Sequence, residues 1–303
     1  MRPMRGIVLK LGSVLVFIVM SALIKLSADH VPPGEAVFFR AFFAMPVILV
    51  WLALRRELAT GLRTANPYGH LWRGLMGTSA MGFGFAGLAF LPLPEVTAIG
   101  YAAPLLTVIF AAMFLGEEVR AFRIAAVGLG LAGVLIVASP RLTIDSSAGT
   151  SEALGAMLVL FGAVFAALAQ VFVRKLVDTE KTPTIVFWFS MTATVLSLVT
   201  LPWGWVWPSP LEWGTLIMVG LLGGIGQILL TSSYREADAS LIAPFDYASM
   251  LFALIIGYVA FDEVPTLTML AGASLVIAAG ILIIWRERQL GLQRTRQRKA
   301  MTP

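Results

Sequence analysis

The chain has 303 residues, of which 58% are apolar and only 13% charged, with a mean hydropathy of +0.87. Soluble domains carry about 25% charged residues, so a set of soluble domains is excluded and a polytopic α-helical membrane protein is indicated; the short alternating segments of a β-barrel are absent. The net charge of +5 does not point to nucleic acid, because the basic residues sit in short loops between apolar spans, and the absence of cysteine excludes disulfides and thiolate metal sites.

About 20 apolar residues cross a bilayer as a helix. Ten such spans are expected in chain order, at about 6–28, 34–54, 71–91, 94–115, 120–139, 153–174, 183–201, 212–234, 238–261 and 265–285. Short connections rich in Pro, Gly and charge separate them, such as Val31-Pro32-Pro33-Gly34 and Leu91-Pro92-Leu93-Pro94. With ten spans, both termini lie on one side. Seventeen Lys and Arg fall on that side: Arg2, Arg5, Arg55, Arg56, Arg63, Arg120, Arg123, Arg174, Lys175, Lys181, Arg235, Arg286, and five in the tail. Only Arg141 falls on the other. By the positive-inside rule the termini are cytoplasmic. The tail 287–303 is expected to lie on the anionic inner leaflet or to stay disordered.

The chain repeats itself. At an offset of 149, Gly6 falls on Gly155, Lys25 on Arg174, Asp29 on Asp178 and Phe38 on Phe187. At 145, "FLGEEV" falls on "VAFDEV", and Tyr101 falls on Asp246. The expected division is a first five-helix repeat at 1–139, an outer linker at 140–152, a second repeat at 153–286 and the tail. An odd number of spans per repeat inverts the second copy, as in many secondary transporters, whose site lies near the bilayer midplane between the halves.

Several polar groups stand inside the spans. Asp246, in "APFDYASM", is expected roughly 12 Å deep, near the middle of a core of about 30 Å. An intramembrane carboxylate is functional by default. It either contacts substrate or exchanges a proton; the alternative is a structural hydrogen bond to a neighbouring helix. Tyr247 adjoins it, and Tyr101 is its repeat counterpart. Arg40 lies roughly 9 Å from the outer end of span 2, too far in depth for a direct pair with Asp246. It faces the cavity, snorkels outward or pairs with Glu35. Lys25 at a span end reads as an anchor. Gln170 and Gln227 are expected to be buried amides, as site groups or as ties between helices. Trp188, with Phe187 and Phe189, stacks on a flat solute or meets lipid. Pro104 and Pro244 are hinge candidates, and Pro46 a further kink. The glycines of spans 3, 5 and 8 mark close helix approach. Glu117, Glu118, Asp262 and Glu263 read as caps and turns.

The chain resembles the drug/metabolite transporter superfamily, EamA type, over essentially its whole length. The most specific likeness is a proline in the fourth span with an acid thirteen positions on, here Pro104 to Glu117. In the second half Ser249 and Asp262 hold those places, and the proline stands at Pro244. Arg40 in "FFRAFF" matches a common family position. The resemblance implies ten spans, alternating access and a vitamin-like, nucleoside-like or amino-acid solute, with riboflavin-like compounds as candidates. The few charges and many aromatics suggest a small, flat, mostly neutral metabolite. Import and export, proton coupling and exchange without coupling stay open.

No GxxxxGK[ST] or HExxH occurs, and His30 and His70, the two histidines, read as loop residues. No cofactor or metal is expected. An intramembrane enzyme built on Asp246 would lack a nucleophile or metal set. The expected partners are a small-molecule substrate and the lipid bilayer, with no nucleic acid; a homodimer is left open.

Overall fold

The computed structural model describes residues 3–115, 121–141, 147–177, 179–236 and 243–301. The described residues form thirteen α-helices and two 3₁₀ turns, without strands. The helices are α1 (Pro3–Ser27), α2 (Pro33–Phe42), α3 (Ala44–Leu54), α4 (Leu58–Gly61), α5 (Pro67–Leu88), α6 (Leu93–Gly100) and α7 (Ala102–Leu115). They continue as α8 (Ala121–Ala138), α9 (Ser147–Val177), α10 (Thr182–Leu198), α11 (Pro210–Glu236), α12 (Ala248–Phe261) and α13 (Leu267–Met301). Seven segments, two of them the joined pairs α2–α3 and α6–α7, are long and apolar enough to cross a bilayer. With α5, α10 and the shorter apolar run Phe245–Phe261 they make ten spans. The protein is an all-α polytopic membrane protein.

Prolines set where these helices start and break. Pro33, Pro67, Pro94, Pro183 and Pro210 stand at helix entries, where a missing N–H costs nothing and φ is already helical. Inside a span, a proline collides with the carbonyl four residues earlier. Pro46 acts on Phe42, and span 2 breaks at Phe43. Pro104 acts on Gly100, and span 4 breaks at Tyr101. Both spans, where a kink or hinge was expected, are therefore two helices in series. Span 9 also differs from expectation: a 3₁₀ turn, Ala243–Tyr247, precedes α12, so Asp246 does not sit in a regular α-helix. α9 begins at Ser147, within the expected linker. In the tail, α13 continues as helix to Met301. Glu117 and Glu118 lie outside the described residues.

The main helix contacts recur when the two halves are exchanged. α1 lies along α11 as α9 lies along α5. α12 meets α1 as α7 meets α9, and α10 meets α5 as α2 and α3 meet α11. The pairs α8–α13, α2–α10 and α6–α12 map onto themselves. At α8–α13 the backbones touch: a Cβ on Gly133 would stand 2.8 Å from the Gly272 carbonyl, and one on Gly272 would stand 2.6 Å from that of Gly133. Glycine is required there by the close approach itself. Gly82 and Gly128, by contrast, face open space, so the glycine-rich spans are not packing faces throughout.

The end away from the basic loops is tied by buried polar contacts. Lys25 Nζ reaches Glu263 Oε1 at 3.0 Å and donates to the carbonyls of Leu91 at 2.6 Å and Leu88 at 3.3 Å. Glu263 also accepts from the Leu93 amide. Lys25 thus joins α1, α5 and the end of α12 rather than snorkelling free. Asp262 closes α12 in the left-handed conformation, at φ 54°. Arg141 grips Glu95 with two nitrogens, at 2.9 and 2.8 Å, and Glu152 with a third at 2.6 Å.

Candidate functional site

Two groups of polar side chains lie within the spans. The first forms where α1 passes the 3₁₀ turn of span 9. Lys10 Nζ stands 2.6 Å from Asp246 Oδ1. The lysine side chain is 2% exposed and the aspartate 49%, so a buried ammonium is closed by a carboxylate that opens on one side. A lone lysine at this depth would be strongly disfavoured; the pair makes it tolerable. Lys10 carried no site signal in the sequence, because nothing there places residue 10 beside residue 246.

Tyr101 and Tyr247 meet beside this pair, ring centroids 5.1 Å apart and edge to face. The Ser249 hydroxyl donates to the Asp246 carbonyl at 2.7 Å. That uses its one proton, so the 2.5 Å contact between Tyr101 and Ser249 has the tyrosine O–H as donor. A chain of hydrogen bonds thus runs from the break in span 4 to the turn in span 9. Ser249 holds the repeat position of Pro104. The two residues accommodate irregular backbone by different means: the proline removes an N–H, and the serine caps a carbonyl three residues back. The Tyr247 hydroxyl lies against Gly280 of α13, where a methyl group has no room.

The second group lies where α2, α5, α10 and α11 meet. Arg40 on α2 and Arg73 on α5 both approach the ring of Phe189 on α10, at 5.5 and 3.9 Å from its centroid. Arg40 is 5% exposed. It neither snorkels nor pairs with Glu35, whose carboxylate accepts from the Val206 amide. Arg40 Nε and Arg73 Nε and Nη1 are buried without a hydrogen-bond partner among the described residues. Gly77 and Gly223 give the two side chains space: a Cβ on Gly77 would overlap Arg73 Nη1, and one on Gly223 would stand 3.1 Å from Arg40 Nε.

At the basic end, beside this group, Glu180 Oε1 accepts from Thr64 Oγ1 at 2.6 Å and from the amides of Ala65 at 2.7 Å and Asn66 at 2.9 Å. Burial alone would raise the Glu180 carboxyl, but these donors together hold it below the usual carboxylate range. His70 is buried in the first turn of α5, not in a loop, with Nε2 3.6 Å from Glu180. That is beyond hydrogen-bond length. Trp188 donates its indole N–H to the Leu62 carbonyl at 3.1 Å and sits 6.0 Å from the His70 ring. It ties α10 to the loop before α5.

Of the expected residues, Asp246, Tyr247 and Tyr101 come together, with Pro104 shaping the break beside them. Pro244 opens the same turn. Arg40 and Trp188 belong to the second region. Gln227 is partly buried on α11, and Gln170 is exposed on α9 rather than a buried amide, because its face of α9 turns away from α5 and α7. No group of three or more potential metal ligands occurs among the described residues.

Comparison with known proteins gives a consistent picture. The model of the EamA-like transporter family matches residues 4–139 and again 153–285. A pseudopaline exporter of Pseudomonas aeruginosa (strain UCBPP-PA14) is 30% identical over 92% of this chain and 95% of its own length. An S-adenosylmethionine uptake transporter of Rickettsia bellii is 27% identical over 84% of each chain. A riboflavin transporter of Rhizobium johnstonii is 27% identical over 84% of this chain and 82% of its own. One crystal structure superposes with a TM-score of 0.67 at 22% identity, over 96% of this chain and 99% of the other, which establishes a shared fold.

Proposed function

This chain belongs to the EamA-like transporter family, and on that premise we propose that it is a secondary active transporter of a small, flat or aromatic metabolite, working by alternating access between two inverted five-span repeats. The relatives are named as transporters rather than enzymes, and their solutes differ. The observation that carries the reading is the pair of helix breaks at matching repeat positions, Tyr101 in span 4 and the turn at Asp246 in span 9, joined through Ser249. Broken spans expose backbone carbonyls and polar side chains only where protein or a solute satisfies them. The main helix contacts recur on exchange of the halves, which supports two like bodies rocking about a shared site.

Asp246 is the coupling or solute-binding group, and Lys10 is its internal counter-ion. A protonated Asp246 would release Lys10, so proton uptake and rearrangement of α1 against span 9 are linked. In this reading the protein sits in a cell's inner membrane with both termini cytoplasmic, an orientation that the excess of Lys and Arg in the loops on one side supports. A single cysteine at Arg298 should be closed to impermeant reagents from outside, and one at Ser147 open to them.

The test is reconstitution in proteoliposomes, with riboflavin, S-adenosylmethionine and aromatic amino acids as first solutes, with and without a proton gradient. Concentrative movement is expected for one class. In Asp246→Asn, gradient-driven accumulation should vanish while exchange persists. Passive flux at channel rates, or chemical change of the solute, would reject the transporter reading. Wild-type accumulation by the variant would reject Asp246 alone.

A further inference from the structure

We propose that Arg40 and Arg73 form a binding site for an oxyanion, a carboxylate or phosphate carried by the transported solute. The inference deepens the transporter reading and rests on it for the identity of the carrier, but not for the binding itself.

Two guanidinium groups share one aromatic face inside the membrane. Each carries a steep desolvation cost there, greater still without a counter-charge. Three other basic side chains within or at the end of a span have an acidic partner: Lys10 has Asp246, Lys25 has Glu263 and Arg141 has Glu95. Arg40 and Arg73 have none among the described residues. The acid of this region, Glu180, has its Oε1 committed to Thr64, Ala65 and Asn66. Phe189 offers only its ring, which orients both cations and neutralises neither.

The surroundings are fitted to the cations rather than merely tolerant of them. Gly77 and Gly223 leave room for the guanidinium groups where any side chain would displace them. Three guanidinium nitrogens are left as donors. Planar N–H donors of this kind match the oxygens of a carboxylate or phosphate. Chloride lacks that fork geometry. The four helices that meet here, α2, α5, α10 and α11, come from both halves, so an anion between the arginines would also hold the halves together. The solute is then flat or aromatic but not neutral, which revises the expectation drawn from composition.

The probes are succinate, benzoate and inorganic phosphate, with succinamide, benzamide and chloride as controls at equal ionic strength. The full chain is held in phosphatidylcholine nanodiscs and its unfolding midpoint recorded. At least one oxyanion should raise the midpoint by about 2–4 °C over its controls, as saturable binding to the folded state requires. Arg40→Gln and Arg73→Gln should each weaken that binding roughly tenfold or more, and Arg73→Lys should restore part of it. No shift by any probe in the wild-type protein, an equal shift by chloride, or an undiminished shift in the double variant overturns the proposal. So does stabilisation that appears only when phosphatidylglycerol replaces phosphatidylcholine, since the arginines would then hold a lipid headgroup. Binding without transport in the same preparation would leave the anion site standing and count against the transporter reading instead.

Discussion

The two charged regions inside the bundle solve one problem in opposite ways. Lys10 and Asp246 close on each other, so the chain supplies both charges. Arg40 and Arg73 gather two like charges on one ring and leave them without an acid among the described residues. The first region can change its own charge state by one proton. The second can be neutralised only by something that arrives. A transporter needs both kinds of group: one that responds to a gradient, and one whose energy depends on whether the solute is bound.

That contrast can be broken by mutation, and the largest effect belongs to the closed pair. Asp246→Asn removes the carboxylate that closes on the buried Lys10, with an expected loss of about 3 kcal/mol. Lys10→Met in the same chain should recover most of it. If the single variant unfolds at the wild-type midpoint in matched nanodiscs, the pair is not what holds Lys10 in place.

Glu180 is the next largest. Glu180→Gln weakens three hydrogen bonds to a charged acceptor, for an expected loss of about 2 kcal/mol. The pH dependence has a definite sign. Folding lowers the pKa of Glu180. It therefore contributes stability that is complete above its unfolded value and lost as the pH falls towards its folded one. A midpoint measured against pH should decline below about 4.5, and Glu180→Gln should remove that decline.

Tyr101→Phe comes third, at about 1 kcal/mol, because it deletes one hydrogen bond and leaves the ring contact with Tyr247. Loss of transport well beyond that stability change would mark the hydroxyl as a solute contact. The smallest effect is the most telling. With no ligand present, Arg40→Gln should leave stability within about 0.5 kcal/mol of wild type or raise it, since the charge it removes has no partner to lose. A loss comparable to that of Asp246→Asn would mean that Arg40 has a counter-charge in the chain, and the two regions would be alike.

Composition and apolar run length determined that this chain crosses a membrane ten times as helices, because in lipid every backbone group must be satisfied within the span. The offset repeats placed Tyr101 opposite Asp246, and both flank a break in their spans. The prolines marked two of the breaks, since the collision with the carbonyl four residues back is a local matter. Partnership was another thing. Nothing local to Lys10 names Asp246, 236 positions away, and depth counting could not foresee that Arg40 would reach inward to Phe189 beside Arg73. Gln170 looked buried because its neighbours are apolar, yet its face of α9 turns outward. His70 looked like a loop residue and is fully buried beside Glu180. Burial and charge pairing are set by which helix faces meet, and helices that meet through glycine contacts such as Gly133–Gly272 do so by shape rather than by sequence code. The sequence determined how many charges the membrane must hold; only the packing decided which of them are answered within the chain and which wait for a solute.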